Sequence, residues 1–329
     1  MKRKLGHSNI EVSALGLGCY AIGGEFRVEN GQPWGWTGVD DDESIRAIHT
    51  AIDLGVNFLD TAQAYGAGHS ETVIGRAIKG RRDRVVLATK FGKRIDTAKK
   101  QILGSSIEPA HLRQGLEDSL RRLDTDYIDL FQWHESSGAL EDLPELLDLL
   151  DAFFGEGKIR YYGWSTDDTE RAVQMAQRKN CVAVQHRLHV FENPESVSKM
   201  LAVCDEWNLA SISRSPLMMG ILTGKFTEDS TFEEGDVRHS IGLDFKNERF
   251  GSLLDRVDAV RDVLTSDGRT VTQGALAWIW SRSPRTIPIP GFKNVQQAAE
   301  NAKAVDFGPL TDEQFRQIEE IMGRVPEMQ

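Results

Sequence analysis

The chain has 329 residues, of which 40% are hydrophobic and 27% charged, with a formal net charge of −11. That balance supports a substantial core and argues against an extended nucleic-acid-binding face, while leaving room for one small basic pocket. Three cysteines without CxxC spacing, no run of about 18 apolar residues and no apolar signal stretch exclude a disulfide framework, a membrane span and a secretory leader, so the expectation is a cytoplasmic protein.

In chain order, short apolar runs alternate with longer segments of helical period. A hairpin is expected over KRKLGHSNIEVSAL, then a strand at Leu15–Gly18 and a helix near 42–54. Strands at Asn57–Asp60, Val85–Lys90, Tyr127–Trp133 and Ile159–Ser165 are followed by helices near 70–79, 109–123, 143–156 and 168–179. Strands at Ala183–His186, Ala210–Arg214 and Thr286–Ile289 precede helices near 195–207, 272–282 and 294–304. Outside that count lie a long connection from about 215 to 252, a helix near 254–266 and a terminal helix from Thr311. Pro109 fits the first turn of its helix, and Leu112, Leu116 and Leu120 make one stripe along it. Eight strand–helix units without a Gly/Ser- or Pro-rich linker predict an α/β fold: one (β/α)8 TIM barrel over residues 1–329, with an N-terminal β-hairpin and extra C-terminal helices.

In such a barrel, function collects at the carboxyl ends of the strands. Asp60 ends the second strand, Tyr65 follows in its loop, Lys90 ends the third strand and His134 follows the fourth. Each alone has an ordinary explanation as a cap, a packing aromatic or a solvated end. Four on one rim suggest a shared chemistry. A phenol with an ordinary pKa near 10 is a poor proton donor at neutral pH, and a neighbouring ammonium lowers that value. A carboxylate would hold the ammonium, and a neutral imidazole would orient a carbonyl oxygen. Carbonyl reduction needs such a group.

The segment DTAQAYGAGHSETVIG (60–75), with VVLATK and FQWH, resembles the aldo-keto reductase family, and the resemblance runs over nearly the whole chain. It implies a catalytic tetrad of Asp60, Tyr65, Lys90 and His134, with Tyr65 as proton donor. It also implies cofactor contacts. Gly18 and Cys19 follow from the first strand, and Ser165 and Gln185 match the nicotinamide carboxamide segments. SRSPLMMGILTGK resembles the pyrophosphate loop, with Arg214, Ser215, Leu217, Gly220 and Lys225. IPIPGFKNVQQAAEN resembles the adenosine site, with Gly291, Phe292, Lys293, Gln297, Glu300 and Asn301. Lys293 near a helix start suits a 2′-phosphate, which favours NADP(H) over NAD(H). Two positions depart from the family pattern: Thr166 replaces an asparagine, and Arg214 replaces an aromatic that stacks on the nicotinamide.

Other signals carry less. GLGCYA fits a dinucleotide fingerprint but is not followed by a helix, and GILTGK is one residue short of a P-loop. His186 and His189 lack companions for a metal, and no metal is expected. The acidic run Asp40–Glu43 suits a helix start. Trp34, with Trp36 on the same loop, and Trp133 are candidates to line a substrate pocket. The 226–250 stretch is long enough to suggest a lid.

The resulting expectation is an NADP-dependent oxidoreductase acting on an aldehyde or ketone and the corresponding alcohol, with no nucleic-acid or membrane partner. Both a monomer and a homo-oligomer fit. A non-catalytic, cofactor-binding, redox-sensing subunit is the alternative, and a Schiff-base lyase using Lys90 is a second rival.

Overall fold

The computed structural model describes residues 1–135 and 143–324. Strands β1 (Lys2–Lys4) and β2 (Glu11–Ser13) form the expected antiparallel hairpin, with Lys2 opposite Ser13. Strand β3 (Gly16–Gly18) is followed by β4 (Glu25–Arg27) and β5 (Pro33–Gly35), then by β6 (Phe58–Asp60) and β7 (Val86–Phe91). Next come β8 (Lys93–Asp96), β9 (Gln101–Ser105), β10 (Ile128–Trp133) and β11 (Ile159–Ser165). The series ends with β12 (Cys181–Arg187), β13 (Ala210–Arg214) and β14 (Thr286–Pro288).

Eight of these strands make a parallel sheet in the order β3-β6-β7-β10-β11-β12-β13-β14. The ends meet where Gly18 bridges Gly291 and donates its N–H to Pro290 O at 3.0 Å. A Cβ on Gly18 would sit 2.4 Å from Ile289 O, so the approach of the two backbones requires glycine there. Helices cover the outside, as the alternation predicts for a (β/α)8 barrel. They are α1 (Asp41–Asp53), α2 (His69–Ile78), α3 (Pro109–Leu123), α4 (Leu143–Gly155), α5 (Thr169–Ala176) and α6 (Pro194–Glu206). After them come α7 (Val237–Ser240), α8 (Glu248–Leu264), α9 (Val271–Arg282), α10 (Val295–Lys303) and α11 (Asp312–Ile321).

Strand periodicity decides which residues face the barrel axis, because neighbours along a strand point to opposite sides. Phe58, Val86, Ala88, Leu130, Ala183 and Ile212 fill the interior, and Leu5, Ile10 and Val12 of the hairpin region plug its amino end. Leu59, Leu87, Phe91, Phe131, Trp133 and Trp164 face the helices. Polar inward positions are thereby pushed to the carboxyl end: Asp60, Lys90, Gln132, Ser165 and Gln185, all buried.

Three expectations are corrected. Helix α8 begins at Glu248, six residues before 254, because Asn247 accepts the Arg249 N–H and caps it. The 215–252 connection contains a 3₁₀ segment at Met218–Thr223 and the short α7. The third concerns β4, β5, β8 and β9, which pair into a four-stranded sheet from the loops after β3 and β7, strands too short to stand out by periodicity. No helix among the described residues is long and apolar enough to cross a membrane.

Candidate active site

Asp60 and Lys90 point into the barrel mouth from adjacent strands and meet at 2.5 Å, both essentially without solvent exposure. Lys90 Nζ also donates to Thr61 O at 2.9 Å and to the Tyr65 hydroxyl at 3.0 Å. The second oxygen of Asp60 accepts from Gln132 Nε2 at 3.0 Å and Gln185 Nε2 at 2.8 Å. Such a buried pair persists because its remaining lone pairs and protons are also satisfied. Gln132 is a site residue that the sequence reading missed; its inward position, two residues beyond Leu130, was the available signal.

The Tyr65 loop is seated by a close backbone approach. Gly66 has φ near +63°, and a Cβ there would lie 2.0 Å from Gly23 O. The Tyr65 ring packs at 4.8 Å from Tyr20 and edge-on at 5.8 Å from His134. His134 is fixed by its N–H, which donates to Phe91 O at 2.9 Å. The four residues expected to act together are therefore in one place.

Their electrostatics are specific. Burial pushes the Tyr65 phenol above its ordinary pKa, and the opposing pull of Lys90 does not cancel it. The lowering pull expected of Lys90 is present, and burial outweighs it. Burial pulls Lys90 down, but Asp60 and Tyr65 outweigh it, and its pKa is raised. His134 is held well below the usual imidazole value by burial and by the charges of Lys90, Lys93 and Arg214, so its ring is neutral at pH 7.

From this floor a cleft of about 1040 Å³ runs outward. Asp60, Tyr65 and His134 line its inner end, while Lys90 lies beneath the surface. Gly18, Cys19, Ser165, Gln185 and Arg214 form the adjoining floor. Ser215, Leu217, Gly220 and Lys225 follow along one wall. Gly291, Phe292, Lys293, Gln297, Glu300 and Asn301 close the far end. Every residue assigned to the cofactor thus lines one cleft. Two of them have further duties: Gly18 serves the barrel seam, and the Gln185 amide nitrogen is engaged by Asp60.

The far end gathers three cations, Lys225, Arg238 and Lys293, beside the carboxylates of Asp40, Glu43 and Glu300. Lys293 donates to Thr37 O at 2.6 Å. Arg238, carried by α7, is gripped by Asp236 through contacts of 2.8 and 2.6 Å, and its guanidinium carbon lies 4.4 Å from the rings of both Trp36 and Phe232. Burial and the charges of Arg238 and Lys293 lower the Lys225 pKa; burial and Arg238 lower that of Lys293. Ser215, Met218, Met219 and Gly220 all have positive φ, a strained turn of the kind found where a loop is shaped around a ligand. The 226–250 stretch expected as a lid supplies Arg238 to the cleft, which no sequence pattern marked.

The tryptophan assignments are corrected. Trp133 is fully buried on the outer face of β10, stacked 4.4 Å from Trp164, because it neighbours the inward Gln132. Trp34 does not line the cleft. Trp36, the other candidate of that loop, does line the cleft, beside Tyr20.

A barrel with an Asp–Lys–Tyr cluster and a neutral histidine at its mouth, opening into a cleft that carries Lys225, Arg238 and Lys293, defines a class, and the comparisons agree. Residues 15–322 match the model of the Aldo/keto reductase family, and the chain belongs to that family. It is 33% identical to the aldo-keto reductase YhdN of Bacillus subtilis over 293 residues, 88% of this chain and 84% of that protein. Among solved structures, the glycerol dehydrogenase AKR11B4 from Gluconobacter oxydans superposes with a TM-score of 0.84 at 30% identity, covering 100% of this chain and 97% of that one. An aldo-keto reductase from Klebsiella pneumoniae in complex with NADPH gives 0.72 at 26% identity, covering 99% and 97%.

Proposed function

We propose that the protein is an NADP(H)-dependent oxidoreductase that interconverts an aldehyde or ketone and its alcohol, with Tyr65 as general acid and base. The observation that carries this reading is the continuity of one cleft from the Lys90–Tyr65 contact to the cations Lys225, Lys293 and Arg238. The residues fit the dinucleotide. Two lysines depressed by burial and by neighbouring cations form a site that an anion relieves, and a 2′-phosphate and pyrophosphate supply such anions.

The dinucleotide supplies the hydride; the chain supplies position and the proton. In reduction, Tyr65 protonates the carbonyl oxygen as the carbon is reduced, and Lys90 stabilises the phenolate left behind. Asp60, held by Gln132 and Gln185, fixes Lys90. The neutral His134 ring orients the oxygen toward the phenol. In the reverse direction the same phenolate takes the proton from an alcohol.

The test is a titration of the purified protein with NADPH and NADH, followed by tryptophan fluorescence, then loss of NADPH absorbance against a panel of aldehydes and ketones. Tight NADPH binding with turnover is expected. Binding without turnover on any carbonyl would favour the redox-sensing alternative, and no binding of either nucleotide would remove the hydride chemistry.

A further inference from the structure

Among the described residues that line the cleft, Arg214 is the one cation at the inner end of the floor rather than with the phosphate-end cluster. It leaves the carboxyl end of β13 and reaches back across β12 to Asp167, two residues beyond the end of β11. Its side chain thus spans the strand ends that carry Ser165 and Gln185, the residues assigned to the nicotinamide carboxamide. Asp167 is fixed in turn, because its other oxygen accepts the Arg187 N–H at 2.7 Å.

The charge of Arg214 is felt inward. Burial sets the pKa direction of both Tyr65 and His134, and at each of them Arg214 adds its own pull. Both members of the pair also act on His186, which faces the helices: burial dominates there, Asp167 opposes it and Arg214 reinforces it. Arg214 lines the cleft and Asp167 does not, so the guanidinium is the member of the pair that faces the reacting groups. The other charges at the floor are compensated locally: Lys90 by Asp60 at 2.5 Å, and Lys93 by Glu135 at 2.8 Å. His134 is neutral.

A nicotinamide ring whose reactive carbon lies within reach of Tyr65 and His134 shares this field. The oxidised ring carries a positive charge and the reduced ring carries none, so a fixed cation discriminates between them wherever within a few ångströms it stands. We propose that Arg214, anchored by Asp167, makes the site sense the redox state of the cofactor, holding NADPH in preference to NADP+. The inference rests on the proposed NADP(H) binding and adds a specificity to it. Selective release of the oxidised cofactor follows, and so does a bound couple that is a weaker reductant than the free one. A tenfold preference corresponds to about 30 mV in a two-electron couple.

The experiment is isothermal titration calorimetry of the protein with NADPH, NADP+ and 2′,5′-ADP, which lacks the nicotinamide. Wild type is expected to bind NADPH about tenfold more tightly than NADP+, or ~1.4 kcal/mol. Arg214→Met should shrink that ratio at least about fivefold, mainly by tightening NADP+, and leave 2′,5′-ADP unchanged. Arg214→Lys should retain the ratio, and Asp167→Asn should increase it. Equal affinity of wild type for the two redox forms overturns the proposal. So does an Arg214→Met variant that weakens both forms alike, which would place the guanidinium on a phosphate. Failure of both dinucleotides to bind wild type is a different result: it removes the cofactor reading itself. Should Arg214→Met not fold, the wild-type ratio and the Asp167→Asn shift decide.

Discussion

The two ends of the cleft are built by different means. At the inner end, the reacting groups sit on strands or within one turn of them, and the buried ion pair is over-determined: Asp60 by Lys90, Gln132 and Gln185, Lys90 by Asp60, Thr61 and Tyr65. At the outer end, Lys225 and Arg238 come from loops and a four-residue helix, and Lys293 from the approach to α10. Charge there is accumulated more than it is placed. Positioning of the atoms that react requires the rigidity of a sheet, whereas capture of a polyanion needs only enough cations facing one way. Substitutions at the inner end should therefore act on rate or on the fold, and substitutions at the outer end on affinity.

The largest effect expected is that of Tyr65→Phe. Removing a general acid costs about 10²–10⁴-fold in turnover. The NADPH dissociation constant, measured by fluorescence quenching, should stay within about twofold of wild type, since the hydroxyl belongs to the inner end only. Undiminished turnover in this variant would take Tyr65 out of the mechanism.

Lys90→Met probes whether the inner end is also a structural element. It leaves Asp60 buried and without its cation, a loss of about 3–5 kcal/mol in unfolding free energy. Denaturant unfolding with an unchanged m-value would report it. A stability close to wild type would mean that Gln132 and Gln185 suffice to hold the carboxylate, and the contrast between the ends would narrow.

Sequence patterns exposed these ends unequally, for the same physical reason. Strand residues obey a two-residue period, so Asp60, Lys90 and His134 could be placed on one rim from the chain alone, and the period also explains Gln132. Trp133 was misassigned where that period was not applied: one step from an inward glutamine, it had to face the helices. The outer end has no period to read. Lys225 and Lys293 were reached through family resemblance, while Arg238 lies in a segment whose spacing says nothing about where its side chains fold back. The four-stranded sheet over the rim was invisible for a related reason, its strands being three to five residues long. The net direction of the Tyr65 shift depends on how completely the ring is enclosed, which only the packed loop reveals.

Lys293→Ala gives a smaller effect of the opposite kind. NADPH affinity should fall about tenfold, ~1.4 kcal/mol, and NADH affinity much less. Added salt should narrow the gap between wild type and variant, because the interaction is between partly exposed charges. Unfolding free energy should move by no more than about 0.5 kcal/mol, as for a surface change away from buried networks. A large loss of stability would show that the Lys293–Thr37 contact ties the far wall together and that this end, too, is structural.

Alkaline pH separates the ends most gently. Lys225 and Lys293 are depressed by burial and by neighbouring cations, so they lose their protons below the ordinary lysine value as pH rises. Tyr65 is raised by burial against the pull of Lys90, so it keeps its proton above the ordinary phenol value of about 10. With rising pH the free protein should first lose NADPH affinity, by several-fold. The rate of reduction at saturating cofactor should stay level over the same interval, because the proton donor is still protonated. A fall in the saturated rate before any weakening of NADPH would reverse that order and place the softer titrating group at the inner end. Lys293→Ala offers the control: with one of the two lysines gone, the loss of affinity with pH should be shallower, while the level stretch of the rate profile remains where Tyr65 sets it.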